Sequence, residues 1–140
     1  MIRFSRIVEE MYAKDNRYKP DGYEFVIEAL HFSQKKLKKT GHLTGRELAQ
    51  GARDLALDHY GPMAKAVLTH WGIHKTIDIG NIVYNMISAK LLSKTDGDSL
   101  EDFNDVYDFE TSFKDAFVKS PSETKKNNKK GDKKTLQNQN

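Results

Sequence analysis

The chain is 140 residues long, 37% hydrophobic and 31% charged, and it has no cysteine. That length supports one domain with a buried core, and the missing cysteines rule out a disulfide framework, a thiolate metal site and a cysteine nucleophile. The formal charge of +3 averages three unlike regions: residues 119–140 hold seven lysines against Glu123 and Asp132, residues 96–115 hold eight acids against Lys114, and residues 1–95 are basic again.

The opening MIRFSRIVEEMY spreads its charges and lacks the apolar stretch of a signal peptide. No run approaches the roughly 18 apolar residues of a membrane span. The expectation is a cytoplasmic protein with no membrane association. Residues 3–14 read as a first helix, with Phe4, Ile7, Val8 and Met11 along one side. Asp21 with Glu24 three residues on, just after Pro20, predicts a second helix over 21–39 closed by Gly41. This helix has two apolar faces, Tyr23, Val26, Ile27, Leu30 and Leu37 on one and Phe25, Ala29 and Phe32 on the other, so its first half should be sandwiched. Lys35, Lys36, Lys38 and Lys39 should project into water at its end.

The central stretch carries three further helical patterns. Thr44 with Glu47 makes a capping box, and Leu43 with Leu48 the flanking staple, for a helix over 45–60 whose inner face is Leu48, Ala52, Leu55 and His59. Gly61 stops it and Pro62 opens a short helix to Trp71 that is apolar on most sides, as an enclosed helix should be. Thr76 reads as the N-cap of the next helix, over 77–91, where Ile79, Ile82, Val83, Met86 and Ile87 form a regular stripe. The central core should include Leu30, Leu48, Leu55, Val67, Trp71, Ile82, Val83 and Met86.

After Leu92 the pattern breaks. Thr95-Asp96-Gly97-Asp98 is a turn, and Ser99 with Asp102 can cap one helical turn. The segment that follows alternates acids with Phe103, Tyr107, Phe109, Phe113 and Phe117, too many rings to leave in water, so an arm laid over the helical body is the simplest reading. Residues 119–140 contain one leucine and no aromatic and are expected to be disordered. The predicted architecture is therefore all-α: a bundle of about five helices over residues 1–118, with a helix-turn-helix-like segment at 62–91 and an irregular acidic and aromatic arm over 95–118.

The strings RYKPDGYEFVIEAL, HLTGREL, HYGPMAKAVLTHWGI, LLSKT and DFNDVYDF occur in this order. Together they resemble a family of small uncharacterised bacterial proteins, a domain of unknown function. The resemblance covers about residues 4–117 and leaves out the tail. It implies no activity, no cofactor and no catalytic residue.

Chemistry must then stand on residue types and spacing. His70, His74 and Asp78 are spaced four apart, as metal ligands on one helix would be, but Gly72 interrupts the span and no fourth ligand can be named, so no metal is assigned. The turn at Asp96 and Asp98 departs from a calcium loop, with Glu101 where glycine is needed. There is no phosphate loop and no nucleophile elbow, and no catalytic residue or cofactor is assigned.

Two binding readings remain. The first is a non-catalytic module acting through protein–protein contacts, with an unidentified partner meeting Phe103, Tyr107, Phe109 and Phe113 on the arm. The alternative is a nucleic-acid-binding protein that uses Asn81, Tyr84, Asn85 and Ser88 on the exposed face of the 77–91 helix. In it Lys125, Lys126, Lys129, Lys130, Lys133 and Lys134 of the tail would meet phosphates. Asparagine can read adenine, yet that helix face carries no Arg or Lys.

Overall fold

The first helix, α1 (Ile2–Lys14), turns Val8 and Met11 inward and leaves Glu9 and Glu10 in water, as its spacing requires. The computed structural model describes residues 2–94 and 98–114, and these form helices with no strand among them. No helix among the described residues is long and apolar enough to cross a membrane.

Helix α2 (Pro20–Leu37) starts and stops differently from its sequence signals. Lys19 takes the cap position in extended geometry and Pro20 the first helical position, where its missing N–H costs nothing, so Asp21 lies inside the first turn rather than capping it. The helix closes on Lys38, left-handed at φ 57° and ψ 39°, with the Lys39 amide donating to the Gln34 carbonyl at 2.9 Å. The closure needs a left-handed residue, and Lys38 supplies it, so the helix ends at Leu37, two residues earlier than expected. Gly41 is an exposed loop residue, and Leu37, expected on the inner face, is 44% exposed. The double-faced first half is sandwiched as expected, with Tyr23, Phe25, Val26 and Ala29 all buried.

Helix α3 (Gly45–Tyr60) begins on the expected capping box: the Glu47 amide donates to Thr44 Oγ1 at 3.0 Å, and the Thr44 amide to Glu47 Oε1 at 2.9 Å. Leu43, Leu48, Ala52 and Leu55 are buried, whereas His59 sits exposed on the last turn. Gly61, at φ 49°, ends α3 and starts a 3-10 turn (Gly61–Met63) that carries Pro62 into α4 (Ala64–His70).

Only Ala64 and Leu68 of α4 are buried; Met63 is 58% exposed, and Val67 and Trp71, expected in the core, are half-buried. Seven residues make two turns, enough to present one edge to the body and not to be surrounded by it. The Trp71 ring covers that edge, 5.7 Å from Phe25 and 6.0 Å from Tyr60. Leu30 is also half-buried, while Leu48, Leu55, Ile82, Val83 and Met86 lie in the core.

The turn after α4 meets the α1–α2 connection. Gly72, at φ 97°, lies so near Arg17 that a Cβ there would fall 2.0 Å from the Arg17 carbonyl oxygen, and the Lys19 amide donates to the Trp71 carbonyl at 3.1 Å. Helix α5 (Thr76–Ser88) then runs through the middle with Ile79, Ile82 and Met86 fully buried. It stops before 91 because Lys90, at φ 64°, closes it: the Leu91 amide donates to the Met86 carbonyl at 2.8 Å, and Leu91 and Leu92 turn back against the core.

The arm is more regular than expected. Ser99 caps a 3-10 turn (Leu100–Phe103), with Asp102 Oδ2 accepting from the Ser99 amide at 3.1 Å. Asp108 accepts from the Thr111 amide at 3.0 Å at the start of a sixth helix, α6 (Phe109–Lys114). Phe117 and the tail lysines Lys125, Lys126, Lys129, Lys130, Lys133 and Lys134 lie outside the described residues.

Candidate functional site

The arm is held by buried groups rather than by its rings alone. Thr76, which reads in sequence as a helix cap, is 1% exposed; its hydroxyl donates to the Phe103 carbonyl at 2.6 Å and accepts from the Val106 amide at 3.1 Å. Lys75 takes the cap position instead, and Asp78 Oδ2 accepts from the His74 and Lys75 amides at 2.9 and 3.0 Å. The Phe103 side chain packs against Gly80, where a Cβ would come within 2.7 Å of its ring. Tyr107 donates its hydroxyl to the Ala49 carbonyl at 2.7 Å, and burial pushes that phenol's pKa upward. Phe109 and Phe113 are 5% and 4% exposed and stack edge-on, 5.1 Å apart. The rings of the arm thus lie against the helical body, as expected: Phe103, Phe109 and Phe113 are buried, Tyr107 is half-buried, and its hydroxyl is spent on α3.

The α5 face expected to be free is also occupied. Asn81 donates to the Tyr18 hydroxyl at 2.9 Å, and Tyr18 in turn donates to Asp78 Oδ1 at 2.5 Å. Asn85 donates to Asp15 Oδ2 at 3.0 Å and to the Tyr23 hydroxyl at 2.9 Å. Arg17 completes the cluster, with its guanidinium on both Asp15 oxygens at 2.9 and 2.7 Å. The Arg17 guanidinium holds the Asp15 carboxyl well below the usual carboxylate range, helped by Asn85 and the Arg17 amide and opposed by partial burial. Burial and the bond to Asp78 raise the Tyr18 phenol. The two asparagine amides thus tie α5 to the α1–α2 connection, and of the four residues on that face only Ser88 is exposed. A sequence reading that looked only along α5 could not see this, because the partners lie 62 to 70 residues away.

His70, His74 and Asp78 do not converge. Asp78 is engaged by Tyr18 and two backbone amides, and no trio of His, Asp or Glu among the described residues could hold a metal ion.

What the fold does assemble is a pocket of about 200 Å³ where the α2–α3 connection, the outer flank of α5 and the 98–103 segment meet. Leu30, Leu43, Leu48, Val83, Ile87, Leu92 and Phe103 provide apolar lining, and Gln34, His42, Thr44, Tyr84, Asp98, Ser99 and Asp102 provide the polar groups. His42 Nε2 stands 2.9 Å from Asp98 Oδ1. Gln34 donates to the Gly41 carbonyl at 2.8 Å and so fixes the connection that forms one side. The Tyr84 hydroxyl is sealed from solvent and has no hydrogen-bond partner among the described residues; burial, then Asp98 and Asp102, raise its pKa.

Of the residues named from sequence as candidate contacts, Tyr84 and Phe103 line the pocket, while Leu30, Leu48 and Val83 were read there only as core. The rest was missed because three distant segments build it, and each lining residue reads in its own segment as ordinary core or cap. The staple pair Leu43 and Leu48 was the one available signal. Chemically the pocket offers an apolar cleft with acids at one side. No family model, no curated protein and no solved structure matches this chain.

Proposed function

We propose that this protein is a cytoplasmic, non-catalytic binding module that acts through protein–protein contacts, with the pocket beside Leu48, Val83 and Ile87 as the receptor for a partner's apolar anchor. One observation carries the reading: an open apolar cleft persists beside an arm that buries Phe103, Phe109 and Phe113 against the helices. Pockets for whole drug-sized ligands run from about 300 to 1,000 Å³. At about 200 Å³, this one suits a side chain or two better than a small molecule.

Selection of peptides from a random library against the full chain tests the reading. Selected peptides should shift the methyl resonances of Leu48, Val83 and Ile87 and lose at least about tenfold in affinity, about 1.4 kcal/mol, for Ile87→Asp. Binders indifferent to Ile87→Asp would place the contact elsewhere and end this proposal.

The nucleic-acid alternative keeps one support, the run of lysines from Lys125 to Lys134. Phosphate neutralisation by such a run carries no base information, so binding should be salt-sensitive and weakly sequence-selective. Deleting residues 119–140 should abolish it at moderate salt and leave the melting temperature nearly unchanged. Sequence-selective binding that survives the deletion would reverse the ranking.

A further inference from the structure

The segment that forms one side of the pocket is strongly acidic. Asp98 and Asp102 line the cleft itself, and Glu101, next to Asp102 in the chain, and Asp105 are exposed. Three of these carboxylates already have partners, Asp98 in His42, Asp102 in the Ser99 amide and Glu101 in the Asn104 side-chain amide. A carboxylate that accepts hydrogen bonds still carries its charge, and that charge is what Asp98 and Asp102 present to the cleft. Lys39, in the α2–α3 connection, is already committed: its Nζ donates to both Glu47 oxygens at 2.8 and 3.0 Å. Among the described residues that line the pocket, His42 is the only basic side chain.

An apolar cleft with carboxylates on one side selects an occupant on two counts. The floor rewards a branched or aromatic side chain through the area it removes from water. The rim rewards a cation close to that side chain and repels an acid there, which acts more on partner choice and encounter rate than on total affinity. We infer that the pocket receives a basic-flanked hydrophobic segment of a partner polypeptide, whose apolar side chain packs against Leu48, Val83 and Ile87 while an adjacent lysine or arginine faces Asp98 and Asp102. The inference rests on the reading of the pocket as a receptor for a protein anchor and adds the charge of the partner to it.

Three blocked peptides titrated into the full-length protein test it, with the same methyl resonances as readout. The first carries a leucine-phenylalanine anchor followed by two lysines, the second replaces the lysines with glutamates, and the third keeps the lysines and replaces the anchor with serines. The lysine peptide should bind at least about tenfold more tightly than the glutamate peptide, about 1.4 kcal/mol. That ratio should shrink as salt is raised, because the contact sits at a solvated rim. The double substitution Asp98→Asn with Asp102→Asn keeps both acceptors and removes both charges, and it should bring the ratio below about threefold while the thermal transition shows the fold intact. If that variant does not fold, Asp102→Asn alone with Glu101→Gln should lower the ratio by at least about threefold. The serine peptide should not shift the methyl resonances.

Equal binding of the lysine and glutamate peptides would overturn the charge selectivity and leave the apolar receptor standing. If no peptide shifts the pocket resonances, the receptor itself fails. Binding of the serine peptide as tightly as the lysine peptide would make the contact a surface attraction to acids, and would also overturn the inference.

Discussion

Lys38 and Lys90 each close a helix in the left-handed region that lysine rarely adopts. A non-glycine residue there costs roughly 1 to 2 kcal/mol, while glycine adds about 0.5 to 1 kcal/mol of chain entropy to lose on folding. The first effect exceeds the second, so Lys38→Gly and Lys90→Gly should each stabilise the protein by about 0.5 kcal/mol in chemical denaturation. Ser33 is a second isolated cost. It is 1% exposed in the contact between α2 and α3, and its hydroxyl has no partner among the described residues. Ser33→Ala removes a buried polar atom that makes no bond, and should raise stability by about 1 kcal/mol. A loss of that size would mean the hydroxyl is bonded after all. Gly51 bears on the same contact, since a Cβ there would lie 1.6 Å from Ser33 Oγ; the two helices meet this closely only because one position has no side chain.

At the scale of elements, the arm depends on one hydroxyl. Thr76→Val keeps the shape of the side chain and strips the Phe103 carbonyl and the Val106 amide of their shared partner. Two lost bonds at about 1 kcal/mol each, with both groups left in a part-buried site, should cost about 2 to 3 kcal/mol and make the 98–114 segment a preferred protease target. A denaturation midpoint equal to the parent's would contradict this role. Thr76 also shows where sequence reading runs out. A threonine just before an apolar stripe has the local signature of a cap, and nothing nearby in the chain reveals that a segment 27 residues on will claim its oxygen. Thr44 and Glu47 were legible because both halves of their capping box lie within four residues. The α5 stripe and the need to bury the arm's rings were legible for a similar reason, since periodicity and ring count are local. The ends of α2 and α5 were not, because lysine in the left-handed position leaves no mark in the sequence where glycine would. The pocket was least legible, because it belongs to no single element.

Across the whole molecule, the cluster of Asp15, Arg17, Asn85 and Tyr23 ties the α1–α2 connection to α5 and makes stability depend on acid. The Asp15 carboxyl is held below its ordinary value, so its contribution is complete above the unfolded value of about 3.9 and is lost as pH falls below it toward the lowered folded value. Asp15→Asn should therefore be less stable than the parent at neutral pH, and the two should converge as pH falls toward about 2. A difference that stays constant over that range would assign the effect to shape rather than charge. The clamp on the arm has a consequence in time as well as in energy. The Val106 amide proton is bonded to a side chain on another helix, so it is freed when the arm lifts, without any unwinding of α5. Its hydrogen exchange should proceed through a partial opening that costs less than global unfolding, while the Leu91 amide, bonded to Met86 at the end of the central helix, should follow a costlier route. A single proton would then report how often this protein uncovers the side of its core that the arm conceals.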